Sequence, residues 1–281
     1  MKIISIRETL INCFLKAGIE RPNYTADIII SNVLSISRAK LITKMQDELS
    51  EQNIKNIFLM SEERLQKRPL SYILGESEFY GRIFKVGEGC FIPRPETELL
   101  IEALLSLAPN AELFADWCTG SACIGITLLL ENPKYKGYGI DSSDAALKWA
   151  QKNANLYSLN ERITFICEQS PSKCTIKENS LDFIISNPPY IPTSKIEGLM
   201  KDVRDYEPRE ALDGGEEGID VLLKIVNNAP RLLKPAGYIA LETDGDEQIE
   251  KIIECISADF KIIKKIYDYN NIMRHLVCQL K

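Results

Sequence analysis

The chain has 281 residues, of which 45% are hydrophobic and 26% charged, and its formal net charge is -6. These proportions belong to an ordinary globular protein of one or two domains and exclude a disordered or fibrous chain. The acidic balance argues against a nucleic-acid backbone as the main partner, because such partners are met by a basic surface.

Arg7 and Glu8 interrupt any signal-peptide core after Ile3, and the longest apolar run, near Cys123 to Leu130, is too short for a bilayer. The expectation is a cytoplasmic protein with no membrane partner. Eight cysteines (13, 90, 118, 123, 167, 174, 255 and 278) show neither a C-x-x-C pair nor a zinc spacing. They are expected to be buried or inert thiols, with no metal site. The one histidine, His275, lies in a β-prone run and is read as structural. Serine or cysteine mechanisms would have to use it.

From Ile3 to about Arg68 the apolar spacing is helical, in Ile6, Leu10, Phe14 and Leu15 and again in Ile28, Ile29, Val33 and Leu34. Gly18 and Pro22 separate those helices, and a third runs from about Glu51 through Ile57 to Leu65. This all-helical unit, residues 1–70, is either a structural cap or a recognition arm for a macromolecule. Residues 71–92 read as a linker with a hairpin around Gly81. Pro93-Arg94-Pro95-Glu96-Thr97-Glu98 opens a helix, with Pro95 and two acids suited to its first turn.

Residues 93–281 alternate strand and helix. Strands are expected at Glu112–Trp117, Lys136–Asp141, Ile163–Cys167, Leu181–Ser186, Tyr238–Glu242, Phe260–Ile266 and Met273–Leu280. Helices are expected near Ile124–Leu130, Asp144–Tyr157, Ile219–Leu233 and Glu247–Ile256. Such alternation implies an α/β, Rossmann-like, mainly parallel sheet covered on both faces.

Ligands of open α/β sheets bind beyond the carboxyl ends of the strands, at the switch in strand order. The first strand-turn-helix carries Cys118-Thr119-Gly120-Ser121-Ala122, and Asp141 ends the second strand 21 residues after Gly120. An acid there suits the ribose hydroxyls of an adenosine-type cofactor. One glycine fits the dinucleotide fingerprint poorly, and the looser loop favours S-adenosyl-L-methionine over NAD. Asn187-Pro188-Pro189-Tyr190 follows the fourth strand. An amide nitrogen is a weak nucleophile because its lone pair is delocalised. The Asn187 side-chain oxygen and the Pro188 carbonyl can accept its two N–H groups. Two prolines fix the backbone, and Tyr190 can pack on the amide face. Positioning of that kind needs no strong base.

Together with Arg68-Pro69-Leu70, Phe91 to Glu98, Asp202-Val203-Arg204, Glu207-Pro208, Ala211-Leu212 and Gly214-Gly215, these segments resemble release-factor glutamine methyltransferases of the HemK type. The resemblance implies a seven-stranded class I methyltransferase sheet whose last strand is antiparallel. It implies methyl transfer to the Gly-Gly-Gln glutamine of peptide-chain release factors. Cofactor positions carry over to Cys118, Thr119, Gly120, Ser121, Ala122, Asp141 and Asn187, and substrate positions to Asn187, Pro188, Pro189 and Tyr190. Asn187, Pro188 and Tyr190 become the catalytic set. Cys118 and Ala122 replace glycines of the family loop, so a positive φ at either would carry a Cβ penalty. Gln169 stands where the family often has an acid, and Glu242 to Gln248 is one residue longer than usual. The rival reading is an adenine N6-methyltransferase, which shares Asn-Pro-Pro-Tyr but should carry a basic recognition region. No direct contact with nucleic acid is expected.

Overall fold

The computed structural model describes residues 1–169, 171–256 and 258–281. The chain parts into two compact units, Met1–Glu76 with Met200–Tyr206, and Ser77–Leu199 with Glu207–Lys281.

The first unit holds α1 (Ile3–Lys16), α2 (Pro22–Leu34), α3 (Arg38–Thr43), α4 (Glu51–Leu65) and α5 (Leu70–Leu74). Ser37 and Ser50 cap α3 and α4, each hydroxyl accepting the amide three residues on at 3.2 Å. Ile6, Leu10, Phe14, Ile29, Ile30 and Ile57 close an apolar core of their own. Asp27 is buried in this unit between Arg7 and Arg38, at 2.5 and 3.1 Å. The segment Met200–Tyr206 joins it through Arg64 to Asp202 at 3.2 Å, and through the Tyr206 hydroxyl donating to the Gln66 carbonyl.

In the rest of the chain come β1 (Glu76–Phe79), β2 (Arg82–Lys85), α6 (Glu98–Leu107), β3 (Leu113–Trp117), α7 (Cys123–Glu131), β4 (Lys136–Asp141), α8 (Asp144–Leu156), β5 (Ile163–Cys167) and β6 (Leu181–Ser186). Then follow α10 (Asp220–Leu232), β7 (Leu233–Glu242), α11 (Asp246–Ile256), β8 (Phe260–Tyr267) and β9 (Met273–Leu280), while α9 (Lys201–Arg204) lies in the segment Met200–Tyr206 that belongs to the first unit. β1 and β2 make a hairpin. The others form a seven-stranded sheet in the order β5-β4-β3-β6-β7-β9-β8. β9, the last in the chain, runs antiparallel to both neighbours and the remaining pairings from β5 to β7 are parallel. The α/β sheet read from the sequence is therefore present, reversed strand included.

Apolar side chains pack on both faces of the sheet. Phe114 stacks on Phe183 at 5.2 Å on one face, with Tyr135 edge-on to both. Gly137 of β4 faces that cluster, and a Cβ there would come within 2.5 Å of the Phe114 ring. Ala115, Ile184, Ile239, Leu241 and the apolar stripes of α10 and α11 fill the other face. Strand order reverses between β3 and β6, and this positions the site. Their register pairs Trp117 with Ser186, so Cys118 and Asn187 leave the sheet side by side.

One expectation needs correction. β7 begins at Leu233, not Tyr238, because the register with β6 shifts between Leu181 and Phe183 and the bulge absorbs Lys234 to Gly237. Cys90, Cys123, Cys174 and Cys278 are buried, Cys118 is half-buried, and Cys13, Cys167 and Cys255 are exposed.

Candidate active site

The loop after β3 is folded by a buried carboxylate. Asp116 Oδ2 accepts from the Thr119 hydroxyl at 2.6 Å and from the Gly125 amide at 3.0 Å. Burial pushes its pKa up from 3.8 to about 7 against those two bonds, and Oδ1 has no partner among the described atoms. Asp116 was not among the expected site residues, although its place at the strand end marked it.

Cys118, Gly120 and Ala122 all take left-handed backbone, with φ of 58°, 57° and 60°. Two of them carry a Cβ, so the foreseen strain is present, of the order of 1–2 kcal/mol per residue. Asp141 completes the turn from β4: Oδ2 accepts the Gly120 amide and Oδ1 the Ser143 amide, both at 2.9 Å. Burial raises the Asp141 pKa, and those backbone donors oppose the rise. Burial likewise pushes the Cys118 thiol far up and Cys123 to about 12, so neither is a thiolate nucleophile.

Beside Asp141 lies a cavity of about 360 Å³ lined by Ser142, Ser143, Gln169 and Glu210. That volume falls within the roughly 300–1,000 Å³ of small-molecule sites. A Cβ added at Gly120 would meet nothing within 4 Å, so open space adjoins the loop. An acid at a strand end, an open glycine turn and this cavity fit an adenosine-type cofactor.

Asn187 leaves β6 half-buried, followed by the buried Pro188 and Pro189. Its Nδ2 donates to the Thr97 hydroxyl at 3.0 Å, which donates to Glu242 Oε2 at 2.7 Å. The Tyr190 hydroxyl reaches Glu242 Oε1 at 3.3 Å, and His275 Nε2 reaches Oε2 at 3.3 Å. Burial, with Glu242 beside it, pushes the Tyr190 pKa up, so this hydroxyl stays a donor. Sequence reading treated Thr97 as part of a helix start and His275 as a strand residue, and gave Glu242 no role.

The backbone of the motif is also held. Gln248 Nε2 donates to the Tyr190 carbonyl at 2.7 Å and the Gly218 carbonyl at 3.2 Å, and its Oε1 accepts the Asp244 amide. Ile191 exchanges backbone bonds with Leu212 and Gly214. A Cβ at Gly214 would come within 2.8 Å of the Pro189 carbonyl, which gives that glycine its reason. Glu207 accepts from Arg94 and from the Ile92 amide, fixing the segment ahead of Thr97.

A mainly parallel seven-stranded sheet with a reversed last strand, a glycine-containing turn after β3 and Asn-Pro-Pro-Tyr after β6 are the features of an S-adenosylmethionine-dependent class I methyltransferase. Solved structures share the fold: a methyltransferase from Pyrococcus furiosus (TM-score 0.53, 18% identity, 72% of this chain and 90% of that one). A ribosomal protein L11 methylase from Lactobacillus delbrueckii subsp. bulgaricus is similar too (TM-score 0.50, 18% identity, 69% and 82%). Residues 6–75 match the PrmC N-terminal domain model and residues 95–202 the methyltransferase small domain. The release factor glutamine methyltransferase of Thermodesulfovibrio yellowstonii is 36% identical over 90% of this chain and 91% of its own. That of Chlorobaculum tepidum is 34% identical over 98% and 96%. The chain belongs to the release factor glutamine methyltransferase family. Among the described residues, no helix is long and apolar enough to cross a membrane and no cluster of His, Cys, Asp and Glu could hold a metal ion.

Proposed function

We propose that this chain transfers a methyl group from S-adenosyl-L-methionine to the side-chain nitrogen of the Gly-Gly-Gln glutamine of peptide-chain release factors. The observation that carries the reading is Asn187, beside the cofactor loop at the β3–β6 switch, with Nδ2 already engaged by Thr97. Its Oδ1 is left to accept one N–H of a substrate amide, and the Pro188 carbonyl accepts the other. Pro189 and Tyr190 wall the amide.

When bound, the cofactor supplies an electrophilic methyl group on a sulfonium. Asp141 is assigned to the ribose hydroxyls, and Cys118 to Ala122 with Asn187 to the rest of the cofactor. Asn187 and Pro188 aim the nitrogen by accepting its two N–H groups, and the proton that methylation displaces from the nitrogen departs along one of these bonds to solvent. Tyr190 stays a phenol and takes no part as a base. Most of the rate comes from orientation, which suits a site without a strong base. Residues 1–70 serve as recognition arm or cap for the substrate protein, 71–92 as linker and 93–281 as the catalytic domain. The setting is the cytoplasm, where release factors act.

The test is incubation with labelled S-adenosylmethionine and, separately, a release factor, its Gly-Gly-Ala variant and duplex DNA. Label should enter only the unmodified release factor. Label on DNA would favour the adenine methyltransferase, and equal label on both release-factor forms would remove the glutamine as target.

A further inference from the structure

The Asn187 carboxamide can face the reacting atoms with either its oxygen or its NH2, and only the oxygen can accept a substrate N–H. We infer that Thr97 and Glu242 are positioning residues that select this orientation, an inference resting on the reading above that Asn187 receives the substrate amide.

The direction of every bond follows from the far end. A Glu242 carboxylate only accepts, and it takes the Thr97 hydroxyl on Oε2 at 2.7 Å. With its one proton committed there, Thr97 Oγ1 can only accept on its other side, so Asn187 must offer it Nδ2, at 3.0 Å. Oδ1 is thereby turned away from Thr97. A reversed carboxamide would set Oδ1 against an oxygen with no proton left to give.

Two features show that Thr97 is committed to this duty. It precedes α6 at the position where threonine hydroxyls cap a helix, yet it makes no capping bond. It is also 2% exposed, with Glu242 1% and His275 0%, so water does not compete for the chain of bonds. Tyr190 and His275 brace the carboxylate from other sides, at 3.3 Å each. Thus β7 and β9 control the first side chain beyond β6 through one residue of the Pro-Arg-Pro-Glu-Thr-Glu segment.

The experiment compares Thr97→Val, Thr97→Ser and Glu242→Gln with the wild type. Thr97→Val keeps the shape and loses the hydroxyl, and Thr97→Ser restores it. Glu242→Gln can offer an NH2 to Thr97, which frees the hydroxyl proton to point at Asn187 and permits the reversed amide. Expected are falls in kcat of about ten- to a hundredfold for Val and Gln, as for misplaced reacting groups. Serine should stay within about threefold, and KM for the release factor and cofactor affinity should change little, because orientation and not binding is lost. Wild-type kcat in Thr97→Val, or a fall in Thr97→Ser as deep as in Val, overturns the inference.

A second readout does not need turnover. In protein labelled with ¹⁵N-asparagine, the Asn187 side-chain protons, assigned by their loss in Asn187→Ala, should exchange slowly with solvent. They should exchange about tenfold faster in Thr97→Val, the factor that corresponds to losing a protecting bond of about 1.4 kcal/mol. Equal exchange in the two proteins overturns the inference. If the wild type leaves release factors unlabelled, the functional reading fails, and exchange alone decides whether Thr97 orients the amide.

Discussion

The Ser186 hydroxyl, at the end of β6, donates to the carbonyl of Trp117, at the end of β3, at 2.6 Å in a fully buried setting. Trp117 and Ser186 are also register partners, so the bond ties the two strand ends from which the proposed cofactor loop and the proposed substrate clamp depart. Ser186→Ala leaves a buried carbonyl short of a donor, which costs about 1–3 kcal/mol. Chemical denaturation should show that loss, and calorimetric titration should show weaker S-adenosylmethionine binding. Unchanged affinity in a destabilised variant would mean that the bond supports the fold without registering the two loops.

Asn187→Ala removes the acceptor assigned to the substrate amide and leaves the Asp141 carboxylate and the Gly120 turn in place. Methyl transfer should fall by about a hundredfold or more, the scale for losing a group that orients the reactants. Cofactor binding should survive at least in part. Wild-type turnover in this variant would remove Asn187 from the mechanism.

Gln248 holds the clamp from behind, with donor bonds to the Tyr190 and Gly218 carbonyls and one accepted from Asp244. In Gln248→Ala these buried backbone groups lose their partner, with a cost of about 2–4 kcal/mol spread over several bonds. Gln248→Glu keeps the acceptor but has no NH2 for the carbonyls, and it should be damaged nearly as much. Thermal melts and kcat should fall together for both variants. A stable, active Gln248→Glu would show that the donor bonds do not hold Tyr190.

Most of this architecture is legible in the chain. β4, β5, β6 and β9 are short β-prone runs, and their bounds read directly from sequence. α3 is six residues long and carries too little periodicity to announce itself. Asp141 and Asn187 were visible because each stands at the end of such a strand. Glu242, Thr97 and His275 were not, because their meeting depends on sheet order. Thr97 and Glu242 are 145 positions apart, and only the placement of β7 beside β6 and β9 brings them to Asn187.

Ala122 carries a Cβ in left-handed backbone, a conformation that favours glycine. The φ of 60° carries a penalty of about 1–2 kcal/mol. Against it stand a buried methyl group, about 0.8 kcal/mol, and the lower chain entropy of alanine, about 0.5–1 kcal/mol. The terms nearly cancel. Ala122→Gly should therefore lie within about 1 kcal/mol of wild type in denaturant unfolding. A loss of several kcal/mol would mean that packing of the methyl group dominates.

The buried Asp116 makes stability depend on pH in a direction opposite to that of a paired surface acid. Its pKa is raised from 3.8 to about 7 in the folded chain, chiefly by burial, so between those values the native state keeps a proton that the unfolded chain has lost. Stability then falls as pH rises through this window, by at most about 1.4 kcal/mol per pH unit, and levels off above it. Asp116→Asn cannot titrate, and its amide oxygen can still accept from Thr119 and Gly125, the two donors that Oδ2 serves. Groups away from this loop titrate alike in the two proteins, so subtraction isolates Asp116 together with its interaction with the neighbouring Asp141. In urea unfolding at pH 5, 6, 7 and 8, the stability of Asp116→Asn relative to wild type should climb up to pH 7 and then flatten. A difference that stays constant with pH would show Asp116 to be ionised throughout, with its charge met by the loop amides.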